Sequence, residues 1–307
     1  MSQSYNLISK NASTVQALAK YFITIEPDSR ILTVSEFETV IDAARGTIQN
    51  SLKLLSHAEA ITLKSRGHLG TFLIEKDLTK LLNFAEISFL VGAMPLPYSK
   101  LYEGLSTGLI QTMENKLNIP VNLAHMRGAH QRIQMVLNGR YDFAVVSKYA
   151  ALQYLDAYED IDIVIEFSEN SYLHNHVLMF SDPKHTEIEK GMRVAIDYDS
   201  IDQSALTLEA TKGIDVELVP ISYNQFVEKL NNKEIDAAIW NGDEITNKFK
   251  IDNIKELNLN NSDNTIAVII IDKERLELKN LITQLIDVDE VMNIQKSVLD
   301  GTMIPSY

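Results

Sequence analysis

Cysteine is absent from the 307-residue chain, and so is any long apolar run. Without cysteine there is no disulfide, no zinc site built on thiolates and no thiol nucleophile. The longest apolar stretch, residues 265–271, is far shorter than the roughly 18–20 residues that span a bilayer, and its β-branched composition is typical of a strand. The first residues show no basic segment followed by an apolar one. We therefore expect a cytoplasmic protein with no membrane contact.

Sequence motifs of several enzyme classes are missing too. There is neither a G-x-G-x-x-G nor a G-x-x-x-x-G-K-[ST] segment, and no Ser-His-Asp set stands at a diagnostic spacing. Two histidine pairs, H-x4-H and H-x-H, have no carboxylate at the helical spacing that a zinc protease motif requires. The sequence therefore predicts no catalytic residues, no metal site and no cofactor.

Acidic residues outnumber basic ones by 42 to 28, and the resulting net charge of -14 argues against a nucleic-acid partner. The imbalance is unevenly distributed, however. Residues 1–80 contain nine basic and eight acidic residues, a net of +1, which leaves 19 basic and 34 acidic residues in the remainder. A nearly neutral head on a body of net charge -15 predicts two modules with different partners, at residues 1–80 and 85–307.

The head has the pattern of a winged helix-turn-helix domain. Apolar spacing predicts helices at residues 14–21, 35–42 and 47–57, with Thr33 or Ser35 as the cap of the second. Residues 61–63 and 71–74 are predicted strands, joined by the basic loop 64–70, and residues 76–84 are predicted to be a linker. Three short helices followed by a hairpin are typical of winged DNA-binding domains.

The third helix is the predicted recognition helix. It carries no Asp or Glu between Arg45 and His57, and its buried side is predicted to contain Ile48, Leu52, Leu54 and Leu55. A merely solvated polar face is the alternative, but the following basic hairpin favours DNA. The predicted DNA-binding residues are Arg45, Thr47, Gln49, Asn50 and Lys53 on the helix and Lys64, Arg66 and His68 on the hairpin.

Residues 12–75 resemble the DNA-binding domain of GntR-type transcription regulators. The matching positions are Ser35-Glu36, Arg45, Thr47, Ile48, Leu52, Leu55 and the wing Gly67-His68-Leu69-Gly70-Thr71-Phe72. The sequence departs from the family pattern at Ala44, where Ser or Thr is usual, at Gly46, where Thr is common, and in a wing one residue longer. The resemblance implies binding to double-stranded DNA.

The body alternates strands and helices. Predicted strands at residues 87–91, 120–124 and 141–146, and again at 193–196, 216–219 and 235–240, are separated by helices, which favours parallel sheets. Residues 137–146 and 230–239 also resemble each other, since each runs from a helix end through an Asn-containing turn and an Asp into a buried strand.

Two such halves, joined by crossing strands at residues 176–180 and 265–271, resemble the type 2 periplasmic-binding-protein fold. The fold class is thus α/β, with an N-terminal winged helix-turn-helix and a bilobal C-terminal domain. Lobe 1 is expected at about residues 85–175 and 265–307, and lobe 2 at about 180–264. A plain doubly wound α/β domain is the alternative.

Ligands of open α/β sheets bind beyond the carboxyl ends of the strands. The loops at these ends predict a small polar or anionic effector, because Arg127 can pair with a carboxylate or phosphate and Gly128 permits close backbone approach. The predicted effector-binding residues are Met94, Tyr98, Ser99, Arg127, Gly128, Ser147, Lys148, Asp197, Ser200 and Asn241.

The whole organisation resembles the YhfZ type of transcription regulator, with specific motifs in the wing, the GAMPLPYS loop and the NGRYDFAVVS segment. That resemblance implies a DNA-binding regulator. We expect a homodimer whose heads bind a pseudo-palindromic operator and whose cleft binds a small molecule. The alternatives are an enzyme on the bilobal fold, with the head as a protein-interaction module, and a plain solute receptor.

Overall fold

The computed structural model describes residues 9–116, 119–244, 253–257 and 262–307. Residues 1–8, which the sequence analysis assigns to the DNA-binding module, and 245–252, assigned to lobe 2, lie outside the described part. The chain divides into two compact units. One takes the residues up to Leu90 together with Lys116, Ile119, Pro120 and Arg275–Leu285, and the other takes the remaining described residues.

The head consists of helices and one hairpin, as predicted. The elements are α1 (Lys10–Thr24), α2 (Val34–Val40), α3 (Arg45–His57), β1 (Ile61–Ser65), β2 (Thr71–Lys76) and α4 (Leu78–Phe84). Local capping explains why α2 begins where it does, because Thr33 accepts from the Glu36 backbone while the Glu36 carboxylate accepts from the Thr33 backbone. β1 and β2 pair antiparallel, with a short 3-10 turn at Gly67–Leu69 between them.

Two details of the head differ from prediction. Leu54 is 44% exposed, because the core-facing side of α3 is the row of Ile48, Ser51 and Leu55. Residues 76–84 are not a linker but include α4, capped by Asp77. The backbone N–H of Ile87 then donates to the carbonyl of Leu82 and closes that helix, so the following strand begins at Leu90 rather than at residue 87.

Lobe 1 contains a five-stranded mixed sheet covered by helices. Its elements are β3 (Leu90–Met94), α5 (Lys100–Lys116), β4 (Val121–His125), α6 (Ala129–Leu137), β5 (Phe143–Ser147), α7 (Lys148–Ala157) and β6 (Ile161–Glu166). Lobe 2 follows with β7 (His176–Phe180), β8 (Arg193–Ile196), α8 (Ile201–Ala210), β9 (Glu217–Pro220), α9 (Phe226–Asn231), β10 (Ala237–Asn241) and β11 (Ile254–Glu256). The chain ends with β12 (Ala267–Asp272), α10 (Leu276–Leu285) and α11 (Val288–Leu299).

The chain crosses between the two sheets as predicted. The strand orders are β4-β3-β5-β12-β6 in lobe 1 and β11-β7-β10-β8-β9 in lobe 2. β12 returns from lobe 2 and pairs antiparallel with β5 and β6, while β7 pairs antiparallel with β10 and β11. The sheets are therefore mixed rather than wholly parallel, because each contains a crossing strand of opposite direction.

The predicted internal repeat corresponds to the same pair of hydrogen bonds, made by one aspartate in each lobe. In lobe 1 the backbone N–H of Asp142 donates to the Val91 carbonyl, and the Asp142 carboxylate accepts from the Val91 N–H at 2.9 Å. In lobe 2 Asp236 makes the same pair of bonds with Arg193, the carboxylate contact being 2.8 Å. The repeated aspartate thus joins the start of one central strand to its parallel neighbour in both lobes.

Helix α10 belongs to a different part of the structure from the one that the sequence predicts. It follows β12 of lobe 1 in the chain, yet it belongs to the compact unit of the head. Within that unit it lies against α1, where Lys20 Nζ is 3.7 Å from the buried Glu277 carboxylate and Gln284 donates to Glu26 at 3.0 Å. In the described part of the chain, no helix is long and apolar enough to cross a membrane.

Candidate functional site

The candidate DNA-binding surface is the exposed side of α3. Arg45, Gln49, Asn50 and Lys53 are exposed there and Thr47 is half-buried. The N-cap residue, Ala44, supplies no side-chain hydrogen bond, so the α3 N-terminus keeps its backbone donors available. Arg45 makes one weak contact, from Nη1 to the Ser35 hydroxyl at 3.3 Å. This surface has the donor groups that contact phosphates and base edges in a major groove.

The hairpin carries the other predicted DNA-binding residues, and Lys64, Arg66 and His68 are all exposed. The Arg66 guanidinium lies 4.2 Å from the centre of the Phe72 ring and donates to Asp28 at 3.1 Å. The ring holds this side chain in place, and Asp28 offsets its charge until another anion competes.

A cleft between the two lobes encloses a cavity of about 90 Å³. One water needs at least about 10–15 Å³ of such space, so the cavity has room for several water molecules or one small molecule. Of the predicted effector-binding residues, five line the cleft: Tyr98, Arg127, Gly128, Ser200 and Asn241. They come from both lobes, as the fold analogy implies.

The other five predicted residues lie outside the lining. Met94 is fully buried, and the Ser99 hydroxyl accepts from the Tyr102 backbone at 3.4 Å at the start of α5. Ser147 caps α7 and donates to Asp202 at 2.6 Å. Lys148 is engaged by Glu166 at 2.8 Å and Asp263 at 3.7 Å, and Asp197 is engaged by Arg127. These side chains hold the walls of the cleft in place rather than face the cavity.

Arg127 and Gly128 of lobe 1 lie where the two lobes meet. The Arg127 guanidinium, from lobe 1, donates to Asp197 at 2.6 Å and to Asp199 at 2.9 Å, both in lobe 2. Gly128 has a φ of +79°, and a Cβ added there would lie 2.9 Å from the backbone oxygen of Asp199. Any other residue would be strained and would also press on the opposite lobe.

Arg132 is the first cleft residue that the sequence analysis missed. It is 3% exposed, and its guanidinium donates to the carbonyls of Val145 and Met126, each at 2.9 Å, and to the Tyr172 hydroxyl at 3.0 Å. A basic residue four positions after Gly128 is typical of a solvated helix position in sequence. Its burial depends on the neighbouring strand and on Tyr172, which lies 40 residues away.

Two carboxyl groups in the cleft were also missed. Burial raises the pKa of Asp202 to about 6, although the Ser147 hydroxyl and the charge of Arg132 both favour the ionised form. Burial raises the pKa of Glu244 to about 8, against hydrogen bonds from Tyr223 and Asn241 that favour ionisation. Glu244 lies three residues after the predicted Asn241, so extending that candidate to the loop that follows it would have included Glu244.

Three tyrosines complete the lining, and of these Tyr102 and Tyr172 are buried and Tyr223 is half-buried. The rings of Tyr102 and Tyr172 meet edge to face at 5.2 Å, and Tyr223 stacks on Trp240 at 4.0 Å with an angle of 10° between the planes. Burial raises the pKa of Tyr102 and Tyr223 well above the usual value, so their hydroxyls stay protonated and can donate. His176 lines the same cleft, and burial lowers its pKa to about 4, which keeps its ring neutral near pH 7.

Known proteins with similar sequences or structures match both parts of the chain. A family model described as the YhfZ C-terminal domain matches residues 77–307, and one described as a helix-turn-helix domain matches residues 29–73. YhfZ of Escherichia coli (strain K12) is 32% identical over 304 residues, 98% of each chain. The crystal structure of YhfZ from Shigella flexneri, also 32% identical, covers 75% of this chain and 97% of that chain with a TM-score of 0.61.

A solved structure of low sequence identity shows the fold of the C-terminal part. The alkanesulfonate-binding protein SsuA from Xanthomonas axonopodis pv. citri is 14% identical, covers 70% of this chain and 75% of its own, and has a TM-score of 0.53. The predicted fold class, a helix-turn-helix head with a binding-protein-like α/β domain, is confirmed. The helix-turn-helix head indicates a DNA-binding regulator, and the chain belongs to the YhfZ family.

Proposed function

We propose that this chain is a ligand-responsive DNA-binding transcription regulator, with residues 1–80 as the DNA-binding domain and residues 85–307 as the sensing domain. The observation that carries the proposal is the combination in one chain of an exposed, acid-free α3 and an interlobe cleft lined by buried polar side chains. The head is proposed to be GntR-like, and the cleft to bind a small polar or anionic molecule in the cytoplasm.

The proposed DNA contacts follow from exposure and charge. Arg45 and Lys53 supply positive charge for phosphates, while Gln49 and Asn50 have the paired donor and acceptor groups that read an adenine edge. The body of net charge -15 repels DNA, which confines binding to the head. Two heads of a homodimer would read half-sites about one helical turn apart.

Helix α10 offers a route from the cleft to the head. It continues the chain from β12 of lobe 1 after three residues, and it belongs to the head unit, where Glu277 meets Lys20 of α1 and Gln284 meets Glu26 just after α1. A ligand that favours one arrangement of the lobes would bias the head through this covalent connection.

An enzyme on the bilobal fold is the second candidate, and one observation favours it. Asp202 and Glu244 have raised pKa values in the same cleft, as general acids and bases often do. Turnover of a compound that the cleft binds would support this candidate. Binding without turnover, coupled to DNA affinity, supports the regulator.

The test joins two measurements on the full chain. A thermal-shift screen of small acids, amines and phosphosugars identifies compounds that raise Tm. Gel shifts on DNA flanking the gene, at several salt concentrations, then measure DNA affinity with and without each hit. The proposal expects a hit that changes DNA affinity, and it fails if no compound that raises Tm alters DNA binding.

A further inference from the structure

We propose that the cleft takes a small organic cation, and that Glu244 is the counter-ion of its protonated amine. The inference rests on the proposed function and narrows it, since of the polar or anionic molecules proposed there it keeps the polar class, specified as a cation, and excludes a simple anion. It arises from a buried carboxyl group of the cleft to which the described residues supply no cationic partner.

Glu244 is 6% exposed and lines the cavity just after β10. Its carboxyl oxygen lies 3.4 Å from the Asn241 amide nitrogen, and the Tyr223 hydroxyl also bonds to it. The same Asn241 amide nitrogen lies 3.5 Å from the Tyr102 hydroxyl, so the carboxyl group is held in a fixed position. No Lys, Arg or His in the described ranges approaches this carboxylate within 4.0 Å, whereas buried carboxylates normally have such a partner.

The two guanidinium groups of the cleft already have carboxyl partners. Arg127 is bound to Asp197 and Asp199, and the positive charge of Arg132 acts on Asp202, whose pKa it lowers. Among the described residues, neither guanidinium is left to pair with Glu244. With Glu244 ionised, carboxylates outnumber the guanidinium groups, so an anion without a positive group would add to the excess of negative charge, whereas a cation would reduce it.

The aromatic lining suits the same occupant. Tyr102, Tyr172 and Tyr223 all line the cavity, and the faces of tyrosine rings attract ammonium groups, more strongly where water is excluded. The stacking of Tyr223 on Trp240 fixes one wall of this lining. A cavity of about 90 Å³ has room for a small cation.

Binding of an amine is then linked to release of a proton. In the empty cleft the Glu244 carboxyl group is mostly protonated near pH 7, because its pKa is about 8. When the ammonium group binds, the carboxylate form is favoured and the carboxyl proton leaves to solvent, while the ammonium keeps its own protons. The titratable groups that face Glu244 are Tyr102 and Tyr223, which stay protonated, and Asp243, which is bound to His174 at 2.7 Å. Affinity should therefore rise with pH up to about 8.

Matched pairs of probes test the proposal on the full chain. Methylammonium chloride is compared with sodium chloride, ethanolamine with ethylene glycol, and alanine with lactate, at equal ionic strength, by thermal shift and calorimetry. The variants are Glu244→Gln, which keeps the shape of the side chain, and Glu228→Gln as a control, since Glu228 is an exposed carboxylate of the same lobe.

The expected result is that at least one amine raises Tm in the wild type and in Glu228→Gln, while its partner without nitrogen does not. Glu244→Gln should weaken that binding by at least about tenfold. Calorimetry at pH 7 in phosphate and in HEPES, which differ in ionisation enthalpy and contain no primary amine, should show release of close to one proton per amine bound.

Three results would overturn the proposal: no amine raises Tm above its control, the nitrogen-free partners bind equally well, or Glu244→Gln binds the amine as the wild type does. If acids or sugars stabilise the chain instead, the cation proposal fails while ligand sensing stands. Failure of the proposed function would be seen separately, as DNA affinity that no bound compound changes.

Discussion

The guanidinium of Arg127 lies 2.6 Å from the carboxylate of Asp197, and the two residues belong to opposite lobes. The Asp197 side chain is 5% exposed and also accepts from the backbone N–H groups of Tyr223 and Asp199. This aspartate is thus anchored in lobe 2 and presented to lobe 1. The pair therefore stabilises the arrangement in which the lobes meet across the cleft.

Replacing Arg127 with alanine should destabilise the chain and weaken ligand binding. The substitution leaves Asp197 buried without its cation, so we expect the free energy of unfolding to fall by about 1–3 kcal/mol. Asp199→Asn is the matched control, because Asp199 is 54% exposed and its pair with Arg127 should contribute only about 0–1 kcal/mol. Urea unfolding measures both changes. Equal losses in the two variants would contradict the role assigned to Asp197.

Replacing Gly128 with alanine should reduce the response to ligand. Gly139 is the control, since it also has a positive φ, +65°, but an added Cβ there meets nothing within 4 Å. Backbone strain should cost about 1 kcal/mol in stability at Gly139 and about 1–3 kcal/mol at Gly128, whose ψ of 122° lies outside the left-handed helical region. Only Gly128→Ala also pushes against the Asp199 backbone, so only this variant should lose part of the ligand-induced rise in Tm. A full ligand response in Gly128→Ala would show that the close approach does not matter for binding.

Removing the positive charges of α3 should weaken DNA binding. In Arg45→Ala with Lys53→Ala, affinity should fall and the slope of log affinity against log salt should decrease by roughly 1 for each phosphate that the variant no longer neutralises. Lys190→Ala with Lys212→Ala removes two exposed charges of lobe 2 and serves as the control. Fluorescence anisotropy over a range of salt concentrations checks this. An unchanged slope in the α3 variant would exclude α3 as the recognition helix.

The pKa of Glu244 predicts a pH dependence of stability. Because its folded-state pKa is about 8 and its ordinary value is 4.5, the native state holds a proton between these values that the unfolded state has released. The Glu244 contribution therefore makes the wild type less stable as pH rises from about 4.5 to about 8. Glu244→Gln lacks this contribution. The free energy of unfolding of the variant, measured with urea, should therefore rise relative to that of the wild type as pH increases across this range. Parallel stability curves for the two proteins would contradict the buried, protonated state of Glu244.

Short-range signals explain which parts of the fold were predictable. The capping pair of Thr33 and Glu36 and the glycines of the wing act within a few residues, so the helices and hairpin of the head could be predicted. The repeated Asp142 and Asp236 revealed two similar lobes because each makes the same bonds to a neighbouring strand. The start of β3 was misplaced because the closing turn of α4 uses Ile87, which looks like a strand residue in sequence.

Long-range burial explains what was missed in the cleft. Arg132 and Glu244 are charged residues that normally lie in solvent, and only packing against distant residues, such as Tyr172 and Tyr102, encloses them. Lys148 was predicted to bind the effector because it directly follows β5, but its side chain forms ion pairs with Glu166 and Asp263 outside the cleft lining. The position of a loop at a sheet edge is encoded locally, whereas the direction and burial of its side chains are not.

Ligand-responsive DNA binding is tested most directly by the Kd of the full chain for DNA flanking its gene, measured by fluorescence anisotropy with and without a saturating amine that raises Tm. We expect the ligand to change this Kd by at least about fivefold in the wild type and by clearly less, at the same ligand concentration, in Glu244→Gln. A wild-type Kd that is the same with and without the bound ligand would contradict the account.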